Sequence, residues 1–222
     1  MNNQEQKQAN TTPTPYLLNV QQISDGWIKK YLLSYRLPDG SEIEYESVSR
    51  KDLEGYTREL TKTDTTTKRA DAISIVGRTT SDEILLIKEF RYPLNSWCIA
   101  FPAGLVEEGE SIFSCAQREL QEETGYSIIT EEGRPKMHPL SQPGYSSTGM
   151  SEESVHIVYA YVEKTGEPKP EPKEFIETFT VKIEDIPRFI RENTIPMGTR
   201  SQLILEAFIQ DMRWDECEKS PE

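Results

Sequence analysis

Apolar residues along the chain gather into short runs separated by charged and turn-forming stretches, and the period of the pattern changes midway. "AISIVGRT" and "EILLIKEFRY" are short and β-branched, the second nearly continuous in apolar character, as expected of buried strands. "ESVHIVYAYVEK" and "EFIETFTVKI" predict two more strands, parted by "TGEPKPEPK", whose prolines cannot continue a ladder and mark a loop. Between these pairs the period becomes helical. Ser111 suits an N-cap, residues 112–124 a helix, and Gly125 the left-handed position that ends one. At about 100° per residue, Ile112, Phe113, Ala116 and Leu120 share a face, with Glu119, Glu122 and Glu123 as an adjoining stripe. "EDIPRFIREN" and "TRSQLILEAFIQDMRW" carry the spaced apolar residues of two amphipathic helices. Strands on both sides of a central helix, with helices closing the chain, predict an α/β fold whose mixed sheet is covered on both faces.

Ahead of this core, "WIKKYLLSYRLPDGSEIEYESVSR" places β-formers on both sides of Pro38-Asp39-Gly40, which predicts an antiparallel hairpin arm. "MNNQEQKQANTTPTP" has no apolar period and reads as a tail. The expected divisions are a tail over 1–15, the arm over 16–65, the main domain over 66–216 and a short tail over 217–222.

Charge narrows the function classes. Against 25 Lys and Arg stand 38 Asp and Glu, a net of -13, the wrong sign for gripping a nucleic-acid backbone. No apolar run approaches the roughly 20 residues that span a bilayer, so no membrane association is expected. The three cysteines, Cys98, Cys115 and Cys217, lack metal-ligand spacing and suit a reducing compartment, which indicates the cytoplasm. His138 and His156 have no spaced partners that would make a metal site.

The acids on the helix need an explanation. Glu119 lies three and four positions from Glu122 and Glu123, neighbour spacings at which like charges repel. Arg118, one turn from Glu122, offsets part of this, whereas a divalent cation would offset more. Oxygen-only donors select hard cations, Mg²⁺ or Mn²⁺, over zinc.

The whole frame, "GLVEEGESIFSCAQRELQEETGY", joins Gly104 and Glu110 to Arg118-Glu119-Leu120, Glu122-Glu123 and Gly125-Tyr126. It resembles the signature of the Nudix hydrolases at every fixed position, with Tyr126 aromatic where an aliphatic residue is usual. The resemblance implies a Nudix α/β/α sandwich with an N-terminal antiparallel arm. It also implies Mg²⁺-dependent cleavage of a nucleoside diphosphate linked to another group, Mn²⁺ being a possible substitute. Glu119, Glu122 and Glu123 would be metal ligands, joined by the backbone carbonyl of Ala103, with Glu110 and Arg118 as supports.

"EFRYPLNSWCIAFPAGLVEEGE" and the arm are similar to the ADP-ribose pyrophosphatase branch of that family, over about Trp27 to Phe208. That likeness implies a homodimer with exchanged N-terminal arms and a nucleotide-sugar substrate. Trp27 would stack on adenine with Tyr45 as a further aromatic wall, Glu46 would read the base edge, and Arg50 and Arg91 would contact diphosphate or ribose. Glu174, where the loop meets the next strand, is the first choice for general base, and Glu153 in "YSSTGMSEES" the competitor. Thr148 replaces a proline usual in that loop, and "TEEGRPKMHPLSQP" makes the connection after the box long. The leading expectation is hydrolysis of ADP-ribose to AMP and ribose 5-phosphate. The alternatives are another nucleotide sugar or an oxidised nucleoside diphosphate as substrate, and a ligand-sensing module without catalysis.

Overall fold

A computed structural model of the protein describes residues 13–62 and 69–218, with side chains described to residue 209. The expected tails over 1–15 and 217–222 lie largely outside the described residues, as do the boundary near residue 65 and the side chain of Cys217. Among the described residues no helix is long and apolar enough to cross a membrane. The chain divides into two units, one built from residues up to Lys68 together with Tyr145–Glu153, the other from the rest.

In the first unit, the strands β1 (Tyr16–Gln22), β2 (Lys29–Arg36) and β3 (Glu42–Ser49) form an antiparallel sheet in that order. The expected turn joins β2 to β3: Gly40 takes φ +86° and its N–H donates to the Leu37 carbonyl at 2.9 Å. β1 and the helix α1 (Leu53–Thr61) add to the expected hairpin. Asp52 caps α1 by accepting from the Gly55 N–H at 2.8 Å, and Tyr56 packs with Tyr31 and Leu33 in a small core. Residues 145–153 run beside β3, where Val48 N–H donates to the Met150 carbonyl at 2.9 Å and Tyr45 Oη to the Gly149 carbonyl at 2.9 Å.

The second unit contains β4 (Ala72–Thr79), β5 (Glu83–Arg91), β6 (Ser96–Ala100), β7 (Ala103–Leu105) and α2 (Ile112–Thr124). There follow β8 (Tyr126–Ile128), the two-residue strands β9 (Thr130–Glu131) and β10 (Arg134–Pro135), and β11 (Met137–Pro139); β12 (Gly144–Tyr145) falls where the chain passes from the second unit to the first. β13 (Ser154–Lys164), β14 (Ile176–Lys182), α3 (Ile186–Glu192) and α4 (Thr199–Glu218) complete the second unit. The long connection after the box is used for the β9–β10 hairpin and for β11, which pairs with β13. The main sheet runs β11-β13-β4-β5-β14; β13 and β4 are parallel and the other pairs antiparallel, so the sheet is mixed.

Alternation along the strands builds the two covered faces. Ile73, Ile75, Leu85, Ala160 and Val162 point to the layer holding Cys115, Ala116 and Leu120 of α2. Val76, Ile84, Leu86 and Val181 point the other way, to Ile186 of α3 and Leu205 and Ile209 of α4. This is the expected α/β/α sandwich. β4 and β5 pair only at Gly77–Leu85 and Arg78–Ile84 and then part. β7 takes the freed edge of β4 and β6 that of β5, and the Pro102 carbonyl between them accepts from Ile75 N–H at 2.8 Å. The fork therefore delivers Ala103 and Gly104 to the flank of α2.

The helix has the expected ends, with Ser111 accepting from the Ser114 N–H at 3.0 Å and Gly125 at φ +73°. Its buried face needs a correction. Cys115, Ala116, Glu119, Leu120, Glu123 and Thr124 are buried, whereas Phe113, expected inside, is 38% exposed. Glu123 lies only about 20° around the helix from Ala116 at ideal geometry, so it falls inside the buried arc, and Glu119 with it. The acids thus interrupt the core face instead of bordering it.

Candidate active site

Two carboxylates of α2 are buried against the fork. Glu123 Oε2 accepts from the Ala103 N–H at 3.0 Å, and the Glu123 carbonyl accepts from Thr178 Oγ1 at 3.2 Å. Glu119 lies against Gly104 so closely that a Cβ there would stand 1.7 Å from its Oε1, an overlap no side chain survives. Gly104 is a steric requirement of the Glu119 carboxylate. Arg118 gathers the rest: its guanidinium donates to both oxygens of Glu110 at 3.0 Å, to Glu119 at 2.8 Å, to Glu122 at 3.2 Å and to the Leu105 carbonyl at 3.1 Å. Glu110 in turn accepts from the Glu107 N–H at 3.1 Å, which ties the loop to the helix.

Burial and mutual repulsion shape the electrostatics. Desolvation, then the charge of Glu119, raises the Glu123 pKa well above the ordinary carboxylate range, and Glu89 and Glu174 add to it. Glu119 is raised by desolvation, with Arg118 pulling it back. Hydrogen bonds from Arg118 hold Glu110 below its ordinary value, and the same bonds raise Arg118. Burial pushes the Cys115 thiol up to about 12, which leaves it an unreactive thiol.

Glu89 joins this group without having been singled out by the sequence reading. It lies on β5, its side chain is 13% exposed, and it pairs with Arg91 at 2.7 Å. Desolvation raises its pKa against the pull of Arg91, and the charge of Glu174 raises it further. The available signal was a carboxylate two positions from Arg91 in the same strand, which places both on one strand face.

Glu122, more exposed at 45%, points to Arg118 from the outer side of the helix. Its carbonyl accepts from Lys169 N–H at 2.7 Å, while the Gly125 carbonyl accepts from the N–H groups of Thr165 and Gly166. The Pro-rich loop is thus docked on the end of α2. At its far end Tyr92 Oη donates to the Lys173 carbonyl at 3.1 Å and Phe90 N–H to the Phe175 carbonyl at 3.0 Å, which brackets Glu174. Glu174 acts electrostatically on Glu89, Glu119 and Glu123.

The other expected contacts belong to the first unit. Trp27 is exposed, Glu46 pairs with Lys30 at 2.6 Å, and Arg50 is ion-paired with Glu153. Tyr45 and Glu46, as successive residues of β3, face opposite sides of their sheet. Among the described residues, no three Asp, Glu, His or Cys side chains form a closed ligand set, and Arg118 pairs with both Glu119 and Glu122. The donors nevertheless fit a hard divalent cation. They are all oxygen, and burial together with mutual repulsion raises Glu119 and Glu123, a cost that a doubly charged partner offsets.

Comparisons with known proteins give the family of the chain. Residues 68–198 match the NUDIX domain family. The chain is 32% identical over 188 residues to an ADP-sugar pyrophosphatase of Mus musculus, covering 79% of this chain and 78% of the mouse protein. It is 33% identical over 182 residues to an ADP-ribose pyrophosphatase of Saccharomyces cerevisiae, covering 76% and 70%. A crystal structure of an ADP compounds hydrolase shares the fold with a TM-score of 0.65 at 18% identity, over 92% of this chain and 96% of that one. Nudix hydrolases use a divalent metal ion. With the signature helix, its supporting arginine and the sheet fork in place, and with relatives matched over most of its length, the chain belongs to the Nudix hydrolase family.

Proposed function

We propose that the protein hydrolyses the diphosphate bond of ADP-ribose to AMP and ribose 5-phosphate, with Mg²⁺ as the working cation. The observation that carries this reading is the pair of buried carboxylates, Glu119 and Glu123, seated on the AFPAG fork inside a Nudix signature. The relatives named for ADP-ribose and ADP-sugars direct the substrate choice. Glu119, Glu122 and Glu123 would hold the cation, with the carbonyl of Ala103. When bound, it neutralises phosphate oxygens and lowers the pKa of the attacking water.

The chain's own groups supply the rest. Glu174 accepts the proton of the water that attacks phosphorus; the P–O bridge breaks and its oxygen leaves with the departing phosphate. Glu174 is preferred to Glu153 because it acts electrostatically on Glu89, Glu119 and Glu123, whereas Glu153 is ion-paired with Arg50. Arg91, held by Glu89, suits a diphosphate oxygen through its planar fork of donors. Trp27 would stack on adenine, Glu46 would read its edge and Arg50 would meet the ribose or diphosphate, in a homodimer that exchanges its arms. The acidic charge and the cysteine usage favour a cytoplasmic setting.

Phosphorus NMR with Mg²⁺ tests the substrate directly, offering ADP-ribose beside ADP-glucose and 8-oxo-guanosine diphosphate. Selective appearance of AMP and ribose 5-phosphate is expected. Preferred cleavage of either competitor would overturn the assignment of substrate.

A further inference from the structure

The sheet face turned away from α2 carries a separate cavity of about 460 Å³, a size suited to a small organic ligand. Strand register sets its lining. Tyr159 stands opposite Val76 and Tyr161 opposite Arg78 on β4, while His138 on β11 stands opposite Tyr159. The Tyr161 N–H donates to the Lys136 carbonyl at 3.0 Å, which brings Lys136 level with Tyr161. Because alternate residues share a face, two rows result: Val76, Tyr159 and His138 in one, Arg78, Tyr161 and Lys136 in the other. Phe208 of α4 supplies a further wall. Ala160 and Val162, of opposite parity on β13, pack under α2, so the cavity and the carboxylate site lie on different faces of one sheet.

The second row is a cation, an aromatic ring and a cation. The Arg78 guanidinium and the Lys136 ammonium each lie 5.9 Å from the centre of the Tyr161 ring, within cation–π range. Both are oriented from outside the cavity, Arg78 by Asp82 at 2.8 and 3.1 Å and Lys136 by Glu131 at 2.7 Å. Those contacts engage only part of either head, since a guanidinium carries five N–H donors and an ammonium three. Among the described residues no carboxylate lines the cavity, although the chain carries a net charge of -13. The wall itself therefore presents cations and aromatic rings, with the carboxylates of Asp82 and Glu131 behind them. Aromatic walls with a pair of preset cations match a flat ring system that bears an anionic group.

We propose that this cavity binds a planar aromatic anion of the nucleoside monophosphate class, the base against Tyr159 and Tyr161 and the phosphate on the remaining N–H donors of Arg78 or Lys136. The site is independent of which diphosphate the enzyme cleaves.

The test is calorimetric titration of the full-length protein with AMP in the presence of EDTA, so that metal-dependent binding at the carboxylates is suppressed. Saturable binding is expected, weakened about 10-fold or more by Tyr161→Ser and by Arg78→Gln with Lys136→Gln, the loss of a cation–π and charged contact. Trp27→Ala should leave this binding unchanged. Inorganic phosphate and ribose 5-phosphate should compete poorly, because neither has a ring to stack. Retained Mg²⁺-dependent hydrolysis in the Tyr161 and Arg78/Lys136 variants shows that they fold. The proposal is overturned if AMP does not bind in EDTA, if those variants bind it as well as the wild type, if Trp27→Ala abolishes it, or if phosphate competes as effectively as AMP.

Discussion

Among single residues, Gly104 sets the position of a buried carboxylate, because the fork carries it against Glu119 so closely that no side chain fits between them. Gly104→Ala is expected to displace Glu119 and reduce kcat by about 100-fold, the cost of roughly an ångström of misplacement, with a normal circular dichroism spectrum. Glu122→Gln should lower kcat by roughly 10²- to 10³-fold while the fold is kept, since Glu122 is exposed enough to be replaced without a packing loss. Near-normal turnover would contradict its role. Glu123 also yields a pH prediction. Its folded pKa is raised, so the folded state binds the proton more tightly than the unfolded chain, and the residue costs stability as pH rises through the interval between the two values. Without metal, Glu123→Gln should therefore gain stability relative to wild type from mildly acidic to neutral pH, as read by denaturant unfolding at each pH. A constant difference would contradict the raised value.

At the scale of elements, the strands of the main sheet and the box helix were legible because each is a strong local pattern: a short apolar run, or a capped amphipathic period. β1 and α1 were not, since their apolar positions are sparse and half-buried and only their packing reveals them. Phe113 was misplaced for a related reason, as a helical wheel names a face without saying which arc a sheet will cover. Glu89 is less legible, because its spacing from Arg91 gives a shared strand face but not the burial that the fork imposes on it. The loop bearing Glu174 shows how elements cooperate. It docks on the carbonyls of Glu122 and Gly125, and a Cβ at position 125 would stand 2.2 Å from the Gly166 carbonyl oxygen. Gly125→Ala, with φ at +73°, should destabilise the protein by about 1 kcal/mol or more and also lower kcat, because it lifts the loop from the helix. Unfolding midpoints and steady-state rates check both; loss of stability with full turnover would show that the loop's seat does not position Glu174.

For the molecule as a whole, a chain of net charge -13 that handles an anionic substrate needs a local reversal of sign, which the proposed divalent ion among the α2 carboxylates would provide. The arm adds a second requirement. Deleting residues up to Arg50 should weaken ADP-ribose binding and dimerisation together, measured by calorimetry and by light scattering after gel filtration; retention of both would make the arm dispensable. If the buried repulsion on α2 is there to hold a cation, Mn²⁺ binding followed by electron paramagnetic resonance will register it. The wild type should deplete the free Mn²⁺ signal with saturation, while folded Glu119→Gln/Glu123→Gln protein should not. Equal binding by both proteins would show that the buried carboxylates do not hold the cation.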